Sequence, residues 1–201
     1  MGSPKYKVSR SLGCNIWGRP KDPFNFKNYF PGQHGPTSSR RPTPYGVQLR
    51  GKQRMKVYYN ITERQFSSIF GRAKEKAGDT GENFVAMLES RLDMILYRAN
   101  LVPTVFAAKQ IVSHGHVLVN GKCLDIRSAM LKDGDVVTLT ESAYKMSYIA
   151  KSVLSQKRRV PAYLLVSEDN KSAKVVQLAK FSEVPYECEI DLQMVIEYYS
   201  H

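Results

Sequence analysis

Ten residues near the middle of the chain, Ser113 to Lys122 (SHGHVLVNGK), gather His114, His116, Asn120 and Lys122 within one short span. Imidazole and amide groups can donate or accept hydrogen bonds, and an ammonium group donates three. As an HxH pair, His114 and His116 could begin a metal site, but no carboxylate follows until Asp125, which leaves the set short of the usual ligand number. No catalytic group accompanies them. Donors without a nucleophile suit recognition of a polar surface, and His34, in Pro31-Gly32-Gln33-His34-Gly35, reads as part of a turn fitted against such a surface.

These donors need a stiff support, and the flanking residues supply one. Thr104 is placed to N-cap a helix running to Val112, with Phe106, Ala107, Gln110 and Ile111 on adjacent faces, and Gly115 can stop it in the left-handed conformation. Val117 to Val119 reads as a strand, and Asn120-Gly121 is the dipeptide favoured by a two-residue type I′ hairpin. Helix end and hairpin edge then present the four side chains together.

Composition indicates the partner. The 201 residues allow one or two domains, and 42% hydrophobic content is enough for a core. Net charge is +12, with a pI near 9.6. Its distribution is uneven: residues 1–59 hold twelve Lys/Arg against one acid, Asp22, giving +11, and the remainder is nearly balanced. Tyr6, Trp17, Phe24, Phe26, Tyr29, Phe30 and Tyr45 are interleaved with those cations, a combination suited to phosphate neutralisation and base stacking. No apolar run reaches the ~18 residues of a spanning helix, and the N-terminus lacks a signal peptide's apolar core, so an intracellular, membrane-free setting is expected. Cys14, Cys123 and Cys188 are widely separated without a CxxC pair and read as free thiols.

Residues 1–46, rich in Gly, Pro and Ser, read as mostly irregular chain that orders on a partner. Tyr45 to Asn60 reads as a basic helix with Val47, Leu49 and Met55 inward, and Arg50, Lys52, Arg54 and Lys56 outward; Gly51 weakens it. Thr62 and Gln65 have capping-box spacing before a helix that ends near Gly78. A longer helix capped by Thr80 follows, its apolar face formed by Phe84, Met87, Leu88, Leu92, Ile95 and Leu96, with Arg91 and Arg98 on another side. Downstream, Cys123 to Ile126 closes the hairpin, Asp133-Gly134-Asp135 turns the chain, and Val136 to Thr140 is a strand. Glu141 to Arg159 reads as helical. Tyr163 to Val166 and Lys174 to Leu178 read as paired strands around Asp169-Asn170. Residues 160–201 carry three bases and seven acids, which favours packing on protein over contact with phosphate.

The motifs PGQHG at 31–35, YGVQLRGKQ at 45–53, ERQF at 63–66, TGENFVAMLESRLDMILYR at 80–98, QIVSHGHVLVNGK at 110–122, DGDVV at 133–137 and VIEYYS at 195–200 occur in one order along the chain. In these the chain resembles the bacterial form of the fourth small-subunit ribosomal protein family. The resemblance implies an α+β protein: a helical domain plus a small inserted α/β RNA-binding module of two helices and a short antiparallel sheet. Expected boundaries are 1–46 for the basic irregular segment, 47–92 for the helical domain, 93–156 for the module, and 157–201 for strands and tail packing back on the helical domain. Implied partners are small-subunit ribosomal RNA, bound directly and early, and the fifth small-subunit protein, with an effect on decoding accuracy shared with it and the twelfth. A cytoplasmic, non-enzymatic role without cofactor or metal is implied.

The RNA-contacting side chains expected from charge and resemblance together are Lys5, Lys7, Arg10, Arg19, Arg40, Arg41, Tyr45, Gln48, Arg50, Gln53, Arg54, Lys56, Arg64, Arg91, Arg98, Lys109, His114, His116, Asn120 and Lys122. Two features depart from relatives. Many carry Thr-Arg-x-x-Ala-Arg where this chain has Val105 and Lys109 in the arginine positions, and lysine lacks the guanidinium's planar fork. Some carry an N-terminal four-cysteine zinc site, whereas this region holds Cys14 alone. An RNA-modifying enzyme with the same module would need a catalytic domain, and no nucleotide-binding fingerprint or P-loop is present. Lys145-Met146-Ser147 imitates a synthetase signature, but Tyr148 and Ile149 replace its second half.

Overall fold

Local capping chemistry sets most helix starts. In a computed structural model, which describes residues 5–37, 43–155 and 158–200, the chain forms two compact units. One comprises Phe66 and the residues before it, together with Tyr186 and those after it. The other is Ser67–Pro185.

In the first unit, α1 (Lys5–Leu12) is followed by a 3-10 turn at Pro23–Asn25 and by α2 (Pro44–Tyr58). Within the segment expected to be mostly irregular, residues 5–37 hold α1 and the 3-10 turn, and the rest is turn, bend and irregular chain. Leu12, Ile16 and Trp17 are buried, and the Trp17 indole donates to the Tyr58 carbonyl at 3.2 Å. Side chains organise the rest: Asn15 accepts from the Arg19 amide at 3.1 Å and donates to the Arg19 carbonyl at 2.9 Å, while Asp22 caps the 3-10 turn through the Phe24 amide at 3.0 Å. Low hydrophobic periodicity concealed this order, because polar side chains satisfying backbone groups leave no periodic signature.

Thr43 caps α2, its hydroxyl accepting from the Gly46 amide at 3.2 Å, with Pro44 in the first turn. Gly51 proves a packing residue: a Cβ there would stand 3.0 Å from Met194 Cβ, on the C-terminal helix that spans Leu192–Ser200. Lys52, expected outside, is buried. Its ammonium group donates to Glu63 at 2.6 Å and lies 4.3 Å from the Tyr198 ring centre. Burial of a lysine is tolerable with a carboxylate and an aromatic face as partners.

The capping box opens α3 (Glu63–Glu75): the Gln65 amide donates to the Thr62 hydroxyl, and Thr62's amide to the Gln65 side chain, both at 3.3 Å. The cap of α4 (Thr80–Glu89) is Asp79, one residue before the expected Thr80; its carboxylate accepts from the Glu82 amide at 2.7 Å. The long helix also divides. Ser90 and Arg91 leave the helical ladder, the Leu92 amide donates to Ala129 and the Leu131 amide to Ser90, each at 2.8 Å, before α5 (Leu92–Arg98) begins. Every residue of α5 is buried.

Next come α6 (Val105–Ser113), β1 (Val117–Val119), β2 (Lys122–Cys123), β3 (Val136–Leu139), α7 (Glu141–Tyr144), α8 (Ser147–Ser155), β4 (Leu164–Val166) and β5 (Ser172–Val175). A 3-10 turn at Phe181–Glu183 precedes the C-terminal helix, α9 (Leu192–Ser200). The sheet is antiparallel throughout, in the order β2-β1-β3-β5-β4. Residues 164–175, expected among the strands and tail that pack back on the helical domain, also extend the module's sheet: β5 pairs with β3 in the register Val137↔Ala173. The alternation explains it, since Val137, Leu139, Ala173 and Val175 are all buried and share one sheet face at period two. The architecture is α+β.

Candidate nucleic-acid interface

The hairpin is as its sequence demands. Asn120 and Gly121 both have positive φ, 49° and 79°, as a type I′ turn requires. Thr104 caps α6 through the Ala107 amide at 3.1 Å, and Gly115, at φ 72°, follows the helix in the left-handed conformation. His114 ends α6 and is exposed, as is Lys122 on β2. The two imidazoles face at 64° with centroids 6.3 Å apart. His116 Nδ1 lies 3.4 Å from the Ser142 hydroxyl and 3.5 Å from that of Thr140.

Asn120 behaves otherwise. Its side chain accepts from the Val136 amide at 2.9 Å and donates to Asp135 at 2.8 Å, so both ends of the amide are committed to the fold. Asp135 in turn accepts from the Lys132 amide at 2.8 Å; that bond and the one from Asn120 hold its carboxyl below the usual range. Asn120 is thus a latch between the hairpin and the Asp133-Gly134-Asp135 turn, and it sits at an exposed position.

Burial removes two of the expected contacts, Arg91 and Arg98. Arg91 forms a two-pronged pair with Asp93 at 3.0 and 2.9 Å, and Arg98 does the same with Glu89 at 2.9 and 2.8 Å. Side-chain exposures of 3% and 0% in each pair exclude contact with an outside phosphate. Tyr163 adds a hydroxyl bond to Glu89 at 2.7 Å. Lys109 lies 3.7 Å from Asp93 with its side chain 12% exposed. Burial brings its pKa down to about 8, against the attraction of Asp93 and aided by Arg91 and Arg127. The lysine at the family's arginine position thus completes an internal charge cluster.

In the first unit, several cations are half-buried braces. Arg10 donates to the carbonyls of Tyr29 at 3.2 Å and Phe30 at 3.1 Å. Arg54 donates to the Leu12 carbonyl at 3.1 Å, and Arg50 stacks on Phe30 with 5.1 Å to the ring centre. Arg19 lies 5.5 Å from the Trp17 ring centre. Gln48 donates to Glu197 at 3.1 Å, and Lys56 to Glu63 at 2.8 Å. Burial works to raise the Glu63 pKa, but the hydrogen bonds from Lys52 and Lys56 outweigh it and bring it to about 2. Gln53 is half-buried; Lys7, Tyr45 and Arg64 are exposed. Lys5 starts α1, whereas Arg40 and Arg41 lie outside the described residues.

Exposed cations omitted from the expected set include Lys21, Lys27, Arg72, Lys74, Lys76 and Arg127. On α3 the acidic neighbours hid the signal, because a local charge sum near zero does not show which face each residue takes. Arg158, expected within the helical stretch Glu141 to Arg159, lies beyond α8 and is a structural clasp: it donates to Tyr97, Val102 and Pro103 carbonyls at 3.1, 2.6 and 2.9 Å. Among the described residues, no group of three or more His, Cys, Asp or Glu is placed to hold a metal ion, and no helix is long and apolar enough to cross a membrane.

A helix stopped by glycine, a type I′ hairpin and a surface of donors define a nucleic-acid-binding module, and comparison with known proteins gives its class. The family described as "S4 domain" matches residues 90–137, and the family "Ribosomal protein S4/S9 N-terminal domain" matches residues 1–89. The small ribosomal subunit protein uS4 of Ehrlichia chaffeensis is 48% identical over 196 residues, covering 98% of this chain and 97% of the relative. The protein of that name from Rickettsia prowazekii is 46% identical over 197 residues, covering 98% and 96%. The chain belongs to the uS4 family of small ribosomal subunit proteins, a structural and non-enzymatic family.

Proposed function

We propose that this protein is a structural constituent of the small ribosomal subunit that binds its ribosomal RNA directly and nucleates assembly of the subunit body. The carrying observation is the twelve-to-one excess of bases over acids in residues 1–59, in a chain that also bears the helix-and-hairpin module. Lys and Arg side chains of the first unit neutralise phosphates, which gives affinity without reading sequence. Shape supplies selectivity, as is usual for structured RNA. The exposed candidates for contact are Lys7, Tyr45 and Arg64 in the first unit, and His114, Asn120 and Lys122 on the module.

On this reading the protein works on cytoplasmic ribosomes, contacts the fifth small-subunit protein, and contributes to decoding accuracy with it and the twelfth. The acidic stretch 160–201 suits protein contact better than RNA. The test is reconstitution: purified protein added alone to naked small-subunit ribosomal RNA should form a complex that survives sedimentation, before any other protein is present. A requirement for a second protein would contradict primary binding.

A further inference from the structure

Residues 145–159 hold five bases, Lys145, Lys151, Lys157, Arg158 and Arg159, and no acid, a basic run that the near balance of the chain beyond residue 59 conceals. Within it, α8 places Tyr148, Lys151 and Ser155 at i, i+3 and i+7, on one stripe of the helix, while Ile149 and Val153 on another side are buried. The stripe lines a groove of about 690 Å³, which Asn100 and Pro103 in the connection between α5 and α6 also line. Small-molecule sites span about 300–1,000 Å³. The walls are braced to each other. Asn100, buried and at φ 59°, donates to the Arg158 carbonyl at 2.7 Å and accepts from the Arg158 amide at 3.3 Å, and the Ser152 hydroxyl donates to the Asn100 carbonyl at 2.9 Å. The Arg158 guanidinium, besides its three carbonyls, lies 4.2 Å from the Tyr97 ring centre. A groove held in this way needs little ordering to receive a ligand.

We propose that this groove receives an unpaired nucleotide of ribosomal RNA, its base against Tyr148 and Leu154 and its phosphate beside Lys151. The inference rests on the RNA-binding reading above and assigns it a second place on the protein. Tyr148 is 39% exposed and Leu154 84%, the most exposed of the large apolar side chains among the described residues. Lys151 is exposed beside them, and no carboxylate is among the described residues that line the groove. An aromatic face accepts any base, because every base has a π-face, and an ammonium group neutralises a phosphate as a point charge. Arg158, with its nitrogens on three carbonyls, adds charge to the site. An acidic peptide would match that charge but leaves the exposed ring of Tyr148 without a flat body to cover it.

The experiment binds the full-length protein to purified small-subunit ribosomal RNA, irradiates the complex with ultraviolet light, digests it with nuclease and trypsin, and maps nucleotide-bearing peptides by mass. The expected result is an adduct on the peptide spanning residues 146–151, which carries Tyr148. Tyr148→Ala should weaken binding roughly 5- to 150-fold, the equivalent of one stacked base, with the salt slope unchanged, and Tyr148→Phe should retain wild-type affinity. Lys151→Ala should reduce the salt slope by about one. Neither side chain belongs to the clasp, so melting temperatures should match wild type. Adducts elsewhere on the protein, with unchanged affinity in a folded Tyr148→Ala variant, would overturn the groove site and leave RNA binding standing; no binding by the wild type would overturn both. Protection of Lys151 from acetylation by a polyglutamate peptide, and not by the RNA, would assign the groove to an acidic protein segment and overturn the proposal.

Discussion

At the scale of single residues, the chemistry of the buried cations separates folding from recognition. Removing Arg98 leaves Glu89 and its Tyr163 bond with an uncompensated charge in a dry site. Breaking such a pair costs about 3–5 kcal/mol, so Arg98→Ala should lower the denaturation midpoint by that order, and any loss of RNA binding should track unfolding. Lys109 carries a second test. Its folded pKa of about 8 lies below the usual 10.5, so between these values the unfolded chain holds more protons and stability rises with pH. Lys109→Met should abolish that rise in urea titrations from pH 8 to 10.5. Glu63 shows the same sign lower on the pH scale: its folded pKa near 2 lies below 4.5, so its stabilisation is complete above the ordinary value and falls away as pH drops from there toward 2. Glu63→Gln should flatten this acid limb. None of these pairings is legible from residue types. Arg98 and Glu89 are nine residues apart, off any helical repeat, and meet only because Ser90 and Arg91 break the helix between them.

At the scale of elements, local rules carried the reading furthest where both partners lie close in sequence. The cap at Thr104, the stop at Gly115 and the Asn120-Gly121 hairpin are local and appear as written in the chain. The β3–β5 pairing is not local, and short strands such as Ser172–Val175 carry too little pattern to choose a partner. The break at Ser90–Arg91 is also tertiary, imposed by backbone bonds to residues 129 and 131. Gly121→Val should destabilise the hairpin more than Lys122→Ala: no atom obstructs a side chain at 121, but valine is strained at φ 79°. Asn120→Ala removes two hydrogen bonds and should cost roughly 1–3 kcal/mol at about 0.5–1.5 each. Melting curves of the three variants check the order, with Lys122→Ala least affected in stability.

For the whole molecule, the proposed function divides the charge: exposed cations meet ribosomal RNA while buried ion pairs hold the fold. Lys7→Ala and Arg64→Ala should leave stability within about 0.5 kcal/mol, as surface substitutions do, yet each should weaken binding and reduce the salt slope by about one if it meets a phosphate. The most direct measurement is the affinity of the purified protein for small-subunit ribosomal RNA across a salt series, for wild type and the Lys7→Ala/Arg64→Ala pair. With six to ten phosphates neutralised at roughly −0.7 to −0.9 each, log K should fall against log salt with a slope of about −4 to −9, and more shallowly for the double variant. A flat titration, or slopes identical in wild type and a folded double variant, would contradict the account.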